Sequence, residues 1–232
     1  MVNVNNHNGV QMLNATNVKA KPALSFCLYE EESAHRAKAE QAVKKIFRSA
    51  YGADINSYLP CLLTAEIDQN IAAVVGVRNA AKQTLFLEQY LPTSIETAIN
   101  QKNGLNIPRE QLVEIGNLVS CKAGITRQLF IVLTFALAKA EIEWVTFTAT
   151  RQVEQLLSKL SLSTMVIGQA TEQAIANGKD NWGSYYINCP NVCVGNVFNA
   201  VNELKKSPII SQMAVQLAPT IDSLAKQIIA KG

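Results

Sequence analysis

Hydrophobic positions in the first third of the chain follow two different periods. The predicted elements are a strand at 23–29, a helix at 33–51 and two strands at 61–67 and 71–79. Ser33 is placed to cap the helix N-terminus, and Gly52 follows the last turn, where glycine commonly ends helices. Asp68-Gln69-Asn70 separates the two strands, and such a short polar link predicts a hairpin. This third of the chain therefore predicts the order β-α-β-β.

The middle of the chain carries its longest apolar segments. The predicted elements are a strand at 84–90, a short helix at 94–100, a strand at 112–120, a helix at 126–140 and a strand at 144–149. Because the helix at 126–140 is apolar nearly all round, we expect other elements to cover it on several sides. Gly116 and Asn117 interrupt the alternation of the strand at 112–120, which predicts a β-bulge there.

The C-terminal part alternates helical and extended patterns. The predicted elements are a helix at 151–160, a strand at 165–169, a helical turn at 171–176, an edge strand at 185–187 and helices at 195–205 and 209–230. Pro208 separates the last two helices, and Pro219 should kink or interrupt the second. Because helices link most of the later strands, we expect those strands to be parallel. The fold class is α/β, with a mixed sheet.

The domain organisation follows from this pattern. We expect residues 1–20, which are Asn-rich and aperiodic, to be a disordered tail, and 21–195 to form one domain. Residues 196–232 form a helical extension. Its apolar side chains recur at helical spacing, and its polar face is thin and weakly charged. We therefore expect it to dock on the domain or to make a homodimer contact, rather than to lie on a membrane surface.

Composition and charge exclude several function classes. Hydrophobic residues make up 48% and charged residues 17%, a globular balance, and the net charge of +3 without basic clusters gives no support for nucleic-acid binding. Five cysteines and two histidines predict neither a disulfide framework, nor a metal site, nor a histidine-dependent triad. The N-terminus does not resemble a secretory signal, and no apolar run reaches the roughly 20 residues of a membrane span. We expect a soluble, cytoplasmic protein.

The junction between the strand at 112–120 and the helix at 126–140 is the first candidate site. A turn that opens a helix presents free backbone N–H groups, and such a position can hold phosphate. Here the N–H groups of Gly124, Ile125 and Thr126 would face the phosphate, and Arg127 or Lys122 would add positive charge. The alternative is an ordinary strand-to-helix turn in which glycine serves only the backbone geometry.

Several separated motifs resemble the thermostable haemolysin family. They are 114–120 (EIGNLVS) followed by Gly124 and Arg127, 144–150 (WVTFTAT), and upstream 51–55 (YGADI), 58–60 (YLP) and 85–91 (LFLEQYL). The motifs occur in the expected order over roughly residues 23–195. The same order resembles the GCN5-related N-acyltransferase (GNAT) superfamily, especially its autoinducer-synthase and N-acyl amino acid synthase branches.

The resemblance implies a GNAT-like mixed sheet flanked by helices, and an N-acyltransferase. Such an enzyme would move an acyl group, such as a fatty acyl group, from acyl-CoA or acyl carrier protein to a small amine or amino acid. The chain departs from the superfamily pattern in three places. Asn117 replaces an arginine, the turn has the single glycine Gly124, and the helix at 151–160 lacks a tyrosine. The altered turn favours the carrier protein or an unusual donor.

Glu114 and Asn117 are the catalytic candidates that the resemblance implies. Glu114 would accept a proton from the amine, directly or through water, and Asn117 would orient the substrate carbonyl or carboxylate. The two residues are three positions apart, so a regular strand would point them to opposite faces, and only a bulge at Gly116 would bring them together. The alternative is that Glu114 is a solvated residue at the start of a strand and that Asn117 only hydrogen-bonds backbone groups at the bulge.

The resemblance also implies donor and acceptor contacts. Backbone N–H groups of Leu118, Val119 and Ser120 would polarise the thioester carbonyl. The expected acceptor-binding residues are Arg78, Glu88, Tyr90, Arg109 and Trp144. Alternatively, Glu88 belongs to the polar face of a strand and pairs with either arginine. The aromatic residues Trp144, Trp182, Tyr185 and Tyr186 either cover the sheet or line an acyl tunnel.

Two other hypotheses for the function remain open at this point. One is a membrane-damaging protein, as the family name suggests, although no membrane-length or strongly amphipathic basic helix supports it. The other is a non-catalytic domain that binds acyl donors. Cys121, beside the turn, suggests a covalent thioester, but we expect a buried and unreactive thiol.

Overall fold

A computed structural model describes residues 23–121, 123–175 and 180–231 and shows a seven-stranded sheet flanked by helices. The strands are β1 (Leu24–Tyr29), β2 (Cys61–Ile67), β3 (Asn70–Asn79), β4 (Leu112–Ser120), β5 (Trp144–Ala149), β6 (Met165–Gln169) and β7 (Asn191–Asn196). The helices are α1 (Arg36–Tyr51), α2 (Ile95–Asn103), α3 (Ala123–Lys139), α4 (Arg151–Lys159), α5 (Val197–Lys205), α6 (Pro208–Gln216) and α7 (Ala218–Lys231). The predicted fold class, α/β with a mixed sheet, is confirmed.

The strand order in the sheet is β1-β2-β3-β4-β5-β7-β6. The first four strands are antiparallel, and the hairpin between β2 and β3 turns at Asp68 and Gln69, both with positive φ, as in a type I′ turn. Strands β4 and β5 are parallel, but β7 lies between β5 and β6 and runs antiparallel to both. The expectation that the later, helix-linked strands are parallel is therefore confirmed for β4, β5 and β6, although only β4 and β5 are neighbours and β7 runs antiparallel to all three. The α4 crossover leaves a gap of one strand between β5 and β6. After β6 the chain turns back and fills this gap as β7.

A bulge in β4 separates it from β5. Val74 pairs with Val119 while Gly76 pairs with Gly116, so β4 contains one more residue than β3 over this stretch. Asn117 lies inside the bulge with φ of 48°. The β4–β5 ladder runs only as far as Ile115 opposite Phe147, and the rest of β4 pairs with β3 alone. The predicted bulge thus marks the point where two parallel neighbours diverge.

Helices cover both faces of the sheet. On one face α3 is packed under α7, and Leu129 and Leu133 of α3 are buried together with Leu224 and Ile228 of α7. This arrangement confirms that α3 is covered on several sides and that the C-terminal helices pack on the sheet domain. On the other face α1 packs over β2, β3 and β4 through an apolar stripe that includes Val43.

Two predicted strands are wrong. Residues 84–90 form a 3₁₀ helix, Phe86–Tyr90, because the Glu88 carboxylate accepts the Leu85 N–H and holds the chain in a turn. Residues 185–187 belong to a second 3₁₀ helix, Tyr185–Asn188, and the true strand of this region is β7. The Asn196 side chain accepts the Asn199 N–H and starts α5, so the predicted helix start at 195 is slightly early.

Several element boundaries also differ from the prediction. Ser33 does not cap α1, since its hydroxyl accepts the Glu30 N–H and the helix begins at Arg36. Pro219 is the second residue of α7, where its missing N–H is not needed, and it separates α6 from α7. The turn predicted at 171–176 contains a 3₁₀ helix at Glu172–Ala174. The predicted tail, 1–20, and residues 122 and 176 lie outside the described residues.

Membrane-length helices and disulfides do not occur in the described part of the chain. None of the described helices is long and apolar enough to cross a bilayer. All five cysteines are free thiols, and Cys189 is exposed while Cys193 is buried in β7.

Candidate active site

A cleft of about 670 Å³ opens where β4 and β5 diverge. Its walls come from the bulged end of β4, the end of β5, the first turn of α3, one face of α4 and a set of aromatic side chains. A concave site with apolar walls and a few polar groups is typical of small-molecule binding. The divergence of the two strands therefore creates the main candidate site.

Glu114 lies at the inner end of this cleft and is only 2% exposed. Its Oε1 accepts the Leu87 N–H at 3.0 Å, and its Oε2 accepts the Phe86 N–H at 2.9 Å and lies 3.3 Å from Nη1 of Arg78. Burial raises the pKa of Glu114, although Arg78 and the two amides act in the opposite direction. Oε1 keeps a free lone pair, so Glu114 can accept one more proton or hydrogen bond.

Asn117 lies on the same face of the sheet as Glu114, as a bulge requires. Its Oδ1 accepts the Leu59 N–H at 2.8 Å, and its Nδ2 donates to the Ser57 carbonyl. These bonds hold the segment before β2 against the sheet. Leu59 fits closely there because Gly76 and Gly116 have no Cβ: a Cβ at Gly76 would lie 2.9 Å from the Leu59 side chain. In the structure, Asn117 therefore positions the segment that contains Ser57 and Leu59.

The donor-binding candidates surround the outer part of the cleft. The residues that line it are Leu118, Val119, Ser120, Gly124, Thr126 and Arg127. Ile125 does not line it and packs toward the core instead. A Cβ added at Gly124 would meet nothing within 4 Å, so the α3 N-terminus is open on this side. The N–H groups of this end give the cleft a local positive potential.

Three predicted acceptor residues lie outside the cleft. Arg109 binds Glu88 in a two-pronged ion pair, with Nη1–Oε1 of 2.8 Å and Nη2–Oε2 of 3.0 Å, and Nη1 also contacts Glu96. Burial alone would raise the pKa of Glu88, but its bonds to Arg109 and to two backbone amides lower it overall. Trp144 packs in a separate apolar cluster with Leu112. Of the predicted acceptor residues, Arg78 and Tyr90 do line the cleft.

Seven aromatic side chains form one wall of the cleft, here called the ring wall. They are Phe47, Tyr51, Phe86, Tyr90, Trp182, Tyr185 and Tyr186. Four of them were expected from the sequence, but Phe47, Tyr51 and Phe86 were not. The seven rings come from α1, from the 3₁₀ helices Phe86–Tyr90 and Tyr185–Asn188, and, for Trp182, from the segment before the second of these. No local pattern in the sequence indicates that these segments meet.

Two tyrosine hydroxyls in the ring wall bind each other. The Oη atoms of Tyr90 and Tyr186 are 2.5 Å apart and share a hydrogen bond. Burial raises the pKa of Tyr186 to about 12 and raises that of Tyr90 as well, so both phenols are neutral near physiological pH. The wall therefore presents uncharged hydroxyls and ring faces.

Cys121 is exposed and lines the cleft, contrary to the expected buried thiol. Cys121 follows the last residue of β4, well beyond Ile115, where the pairing with β5 ends. Among the described residues no cluster of three or more His, Cys, Asp or Glu side chains could hold a metal ion.

Solved structures with the same fold transfer acyl groups, according to their descriptions. FeeM, an N-acyl amino acid synthase from uncultured soil microbes, matches with a TM-score of 0.56 and 13% identity, covering 80% of this chain and 96% of its own. The acyl-homoserine lactone synthase LasI matches with a TM-score of 0.55 and 10% identity, covering 76% and 91%. At these identities the likenesses show the fold, and the GNAT-like architecture expected from the sequence is confirmed.

A third structure was determined with ligands. BjaI, a CoA-dependent acyl-homoserine lactone synthase, is described in complex with SAM and isopentyl-CoA. It matches with a TM-score of 0.53 and 9% identity, covering 89% of this chain and 90% of its own. No curated protein matches this sequence.

The family is shown by sequence. The model of the family described as "Thermostable hemolysin" matches residues 29–201, which include β2 to β7 and the whole cleft. The resemblance read from the motifs is thereby confirmed, and the chain belongs to the thermostable hemolysin family.

Proposed function

We propose that this protein is an N-acyltransferase that moves an acyl group from a thioester to a small amine or amino acid. The observation that carries the proposal is the divergence of β4 and β5 beyond Ile115 and Phe147, which opens a cleft ending at the N-terminus of α3. The folds of FeeM, LasI and BjaI support it, since FeeM is described as an N-acyl amino acid synthase and the other two as acyl-homoserine lactone synthases.

The donor lies along the outer cleft in this proposal. The β4–β5 ladder ends at Ile115, and beyond it Leu118, Val119 and Ser120 line the cleft, where their strand backbone would polarise the thioester carbonyl. The α3 N-terminus and Arg127 bind a phosphate of the carrier. The complex of BjaI with isopentyl-CoA supports coenzyme A as the carrier, and acyl carrier protein is the alternative that presents the same phosphopantetheine chemistry.

The reaction is a direct acyl transfer. The amine nitrogen attacks the thioester carbon, the new C–N bond forms, and the C–S bond breaks. Glu114 takes the proton that the nitrogen loses, directly or through water, and returns it to the leaving sulfur, so that the carboxylate is regenerated. A base needs to be ionised, and the raised pKa makes Glu114 a better proton acceptor than an exposed carboxylate.

Free-thiol release tests the proposal. Purified protein is incubated with octanoyl-CoA or octanoyl acyl carrier protein and a pooled mixture of amino acids and amines. Acceptor-dependent thiol release with one of the two donors is expected, and comparing the two arms identifies the carrier. If neither donor releases thiol and neither shifts the melting temperature, the proposal is wrong.

The family description supplies the competing function. If the purified protein lyses erythrocytes when no acyl donor is present, it damages membranes directly. Donor binding without turnover over the whole acceptor mixture would instead indicate a binding domain.

A further inference from the structure

We propose that the acceptor is a small amine attached to an aromatic or similarly broad apolar group, held by the ring wall. This inference rests on the proposed function, because it concerns the second substrate of the same cleft. The position of the proton acceptor, Glu114, determines where the amine enters the cleft. Phe86 and Leu87 donate their N–H groups to Glu114, so the base and the Phe86–Tyr90 helix are in direct contact.

The amine that gives its proton to Glu114 therefore enters beside the ring wall. Phe86 is 5.8 Å from Trp182 between ring centroids, and Trp182 is 5.5 Å from Tyr185 and 5.8 Å from Tyr186. Phe86, Trp182 and Tyr185 are only partly buried although they line the cleft, so the wall is an open surface rather than a closed core. An aromatic group of the acceptor would continue this set of ring contacts.

Most polar groups near the wall are already paired, and the exception among the described residues is Arg78, whose buried Nε has no hydrogen-bond partner. The hydroxyls of Tyr90 and Tyr186 bind each other, and Asn117 holds the segment at Leu59. Arg78 and Glu114 oppose each other's charge at 3.3 Å. Glu114 remains the group for the amine, and ring faces attract an ammonium before it is deprotonated. A single carboxylate on the acceptor would find a partner in Arg78, whereas any further charge would have none there and would lose its hydration.

The two halves of the wall are fixed to each other before any ligand binds. Asp54 and Asn181 exchange backbone hydrogen bonds, and the Ser184 N–H binds the Tyr51 carbonyl at 2.8 Å. Gly183 makes this junction possible, because its φ is +53° and a Cβ would collide with the Tyr51 carbonyl oxygen. A preformed wall costs little ordering on binding and favours one shape of acceptor.

An acceptor series tests this inference. The probes are L-phenylalanine and phenethylamine against L-alanine, L-glutamate and putrescine, each with the donor that supports thiol release. We expect kcat/KM to be at least about tenfold higher for the aromatic members, since one added aromatic contact and its buried area contribute roughly that factor. A preference for alanine, glutamate or putrescine would overturn the acceptor assignment while leaving acyl transfer established.

The two tryptophans of the chain provide a matched pair of variants. Trp182→Leu should reduce the aromatic-to-alanine ratio about tenfold, whereas Trp144→Leu, outside the cleft, should leave the ratio unchanged. If Trp182→Leu changes the preferred acyl length instead of the acceptor ratio, the wall binds the acyl chain and the inference is wrong.

Calorimetric titration separates this inference from the proposed function. Phenethylamine that binds wild type but not Trp182→Leu, without thiol release, would keep the ring-wall site and remove the transferase. If no aromatic amine binds while other amines still support thiol release, the transferase stands and the ring-wall acceptor site is wrong.

Discussion

Glu114 combines two tasks that sequence alone cannot separate. Its carboxylate holds the backbone of Phe86 and Leu87, and the same group lies at the inner end of the cleft with one lone pair free. A buried carboxylate with this environment is both a structural acceptor and a candidate base. The bulge at Asn117 is what brings the two predicted residues to one face.

Replacing Glu114 with Gln should remove proton acceptance and disturb the Phe86–Tyr90 helix. We expect kcat to fall about 10²-fold or more. Wild-type kcat/KM should decline as pH falls through the raised pKa of Glu114, because the protonated acid cannot accept the amine proton, and the variant should lack this acidic limb. The measurement is a pH–rate profile by thiol release.

Glu66→Gln is the matched control for this change. Glu66 is also a buried carboxylate, bound to Tyr29 and Thr64 on β2, but it lies away from the cleft. Its variant should keep the acidic limb. An unaltered profile in Glu114→Gln would remove Glu114 as the base.

Glu88 and Arg109 should matter for stability rather than for acceptor binding. We expect Arg109→Met to lower the free energy of unfolding by about 3 kcal/mol, because it leaves two partly buried carboxylates without their cation. Since the folded-state pKa of Glu88 is lowered, this contribution is present above its unfolded-state pKa and is lost as pH falls through the folded value. Urea unfolding at two pH values measures it. A raised acceptor KM without lost stability would contradict this assignment.

At the scale of elements, the predicted helices and core strands were mostly correct because their apolar periods are long and regular. The segment at 84–90 has the alternation of a strand, yet the Glu88 carboxylate and the distant Glu114 hold it as a 3₁₀ helix. Long-range hydrogen bonds of this kind override the local hydrophobic pattern, and that pattern does not indicate them. Strand β7 was missed because asparagine and glycine interrupt its short apolar run.

The turn before α3 gives an element-scale prediction about the donor. Because a Cβ at Gly124 meets no atom of the described residues within 4 Å, Gly124→Val should place its side chain in the donor path without an internal clash. We expect the Kd for octanoyl-CoA to rise at least about tenfold, which is the effect of roughly 1.4 kcal/mol. Thermal-shift titration with each donor measures it.

Gly124→Ala is the conservative comparison. It adds one methyl group within a helix and should raise stability by about 0.4–1 kcal/mol with a smaller effect on Kd. Equal donor affinity in wild type and Gly124→Val would mean that the α3 N-terminus is an ordinary turn.

At the scale of the whole molecule, the C-terminal helices belong to the packed fold. Leu224 of α7 is 2% exposed and packs against α3, whereas Ile229 on the same helix is 56% exposed. Periodicity predicted this docking correctly. The assembly of the cleft could not be predicted in the same way, because the ring wall joins residues more than a hundred positions apart.

The pair of α7 variants tests that docking. We expect Leu224→Ala to lower the free energy of unfolding by about 3 kcal/mol, as for other large-to-small core changes. Ile229→Ala should change it by no more than about 0.5 kcal/mol. Equal effects, measured by urea unfolding, would show that α7 does not pack as described.

We propose that the cleft between β4 and β5 carries out acyl transfer. The most direct measurement is mass spectrometry of the products formed from one thioester donor and one amine, with free thiol quantified in the same sample. We expect one N-acylated amine for each thiol released, at a rate that Glu114→Gln strongly reduces. Thiol release without an N-acyl product, or equal yields from wild type and Glu114→Gln, would contradict it.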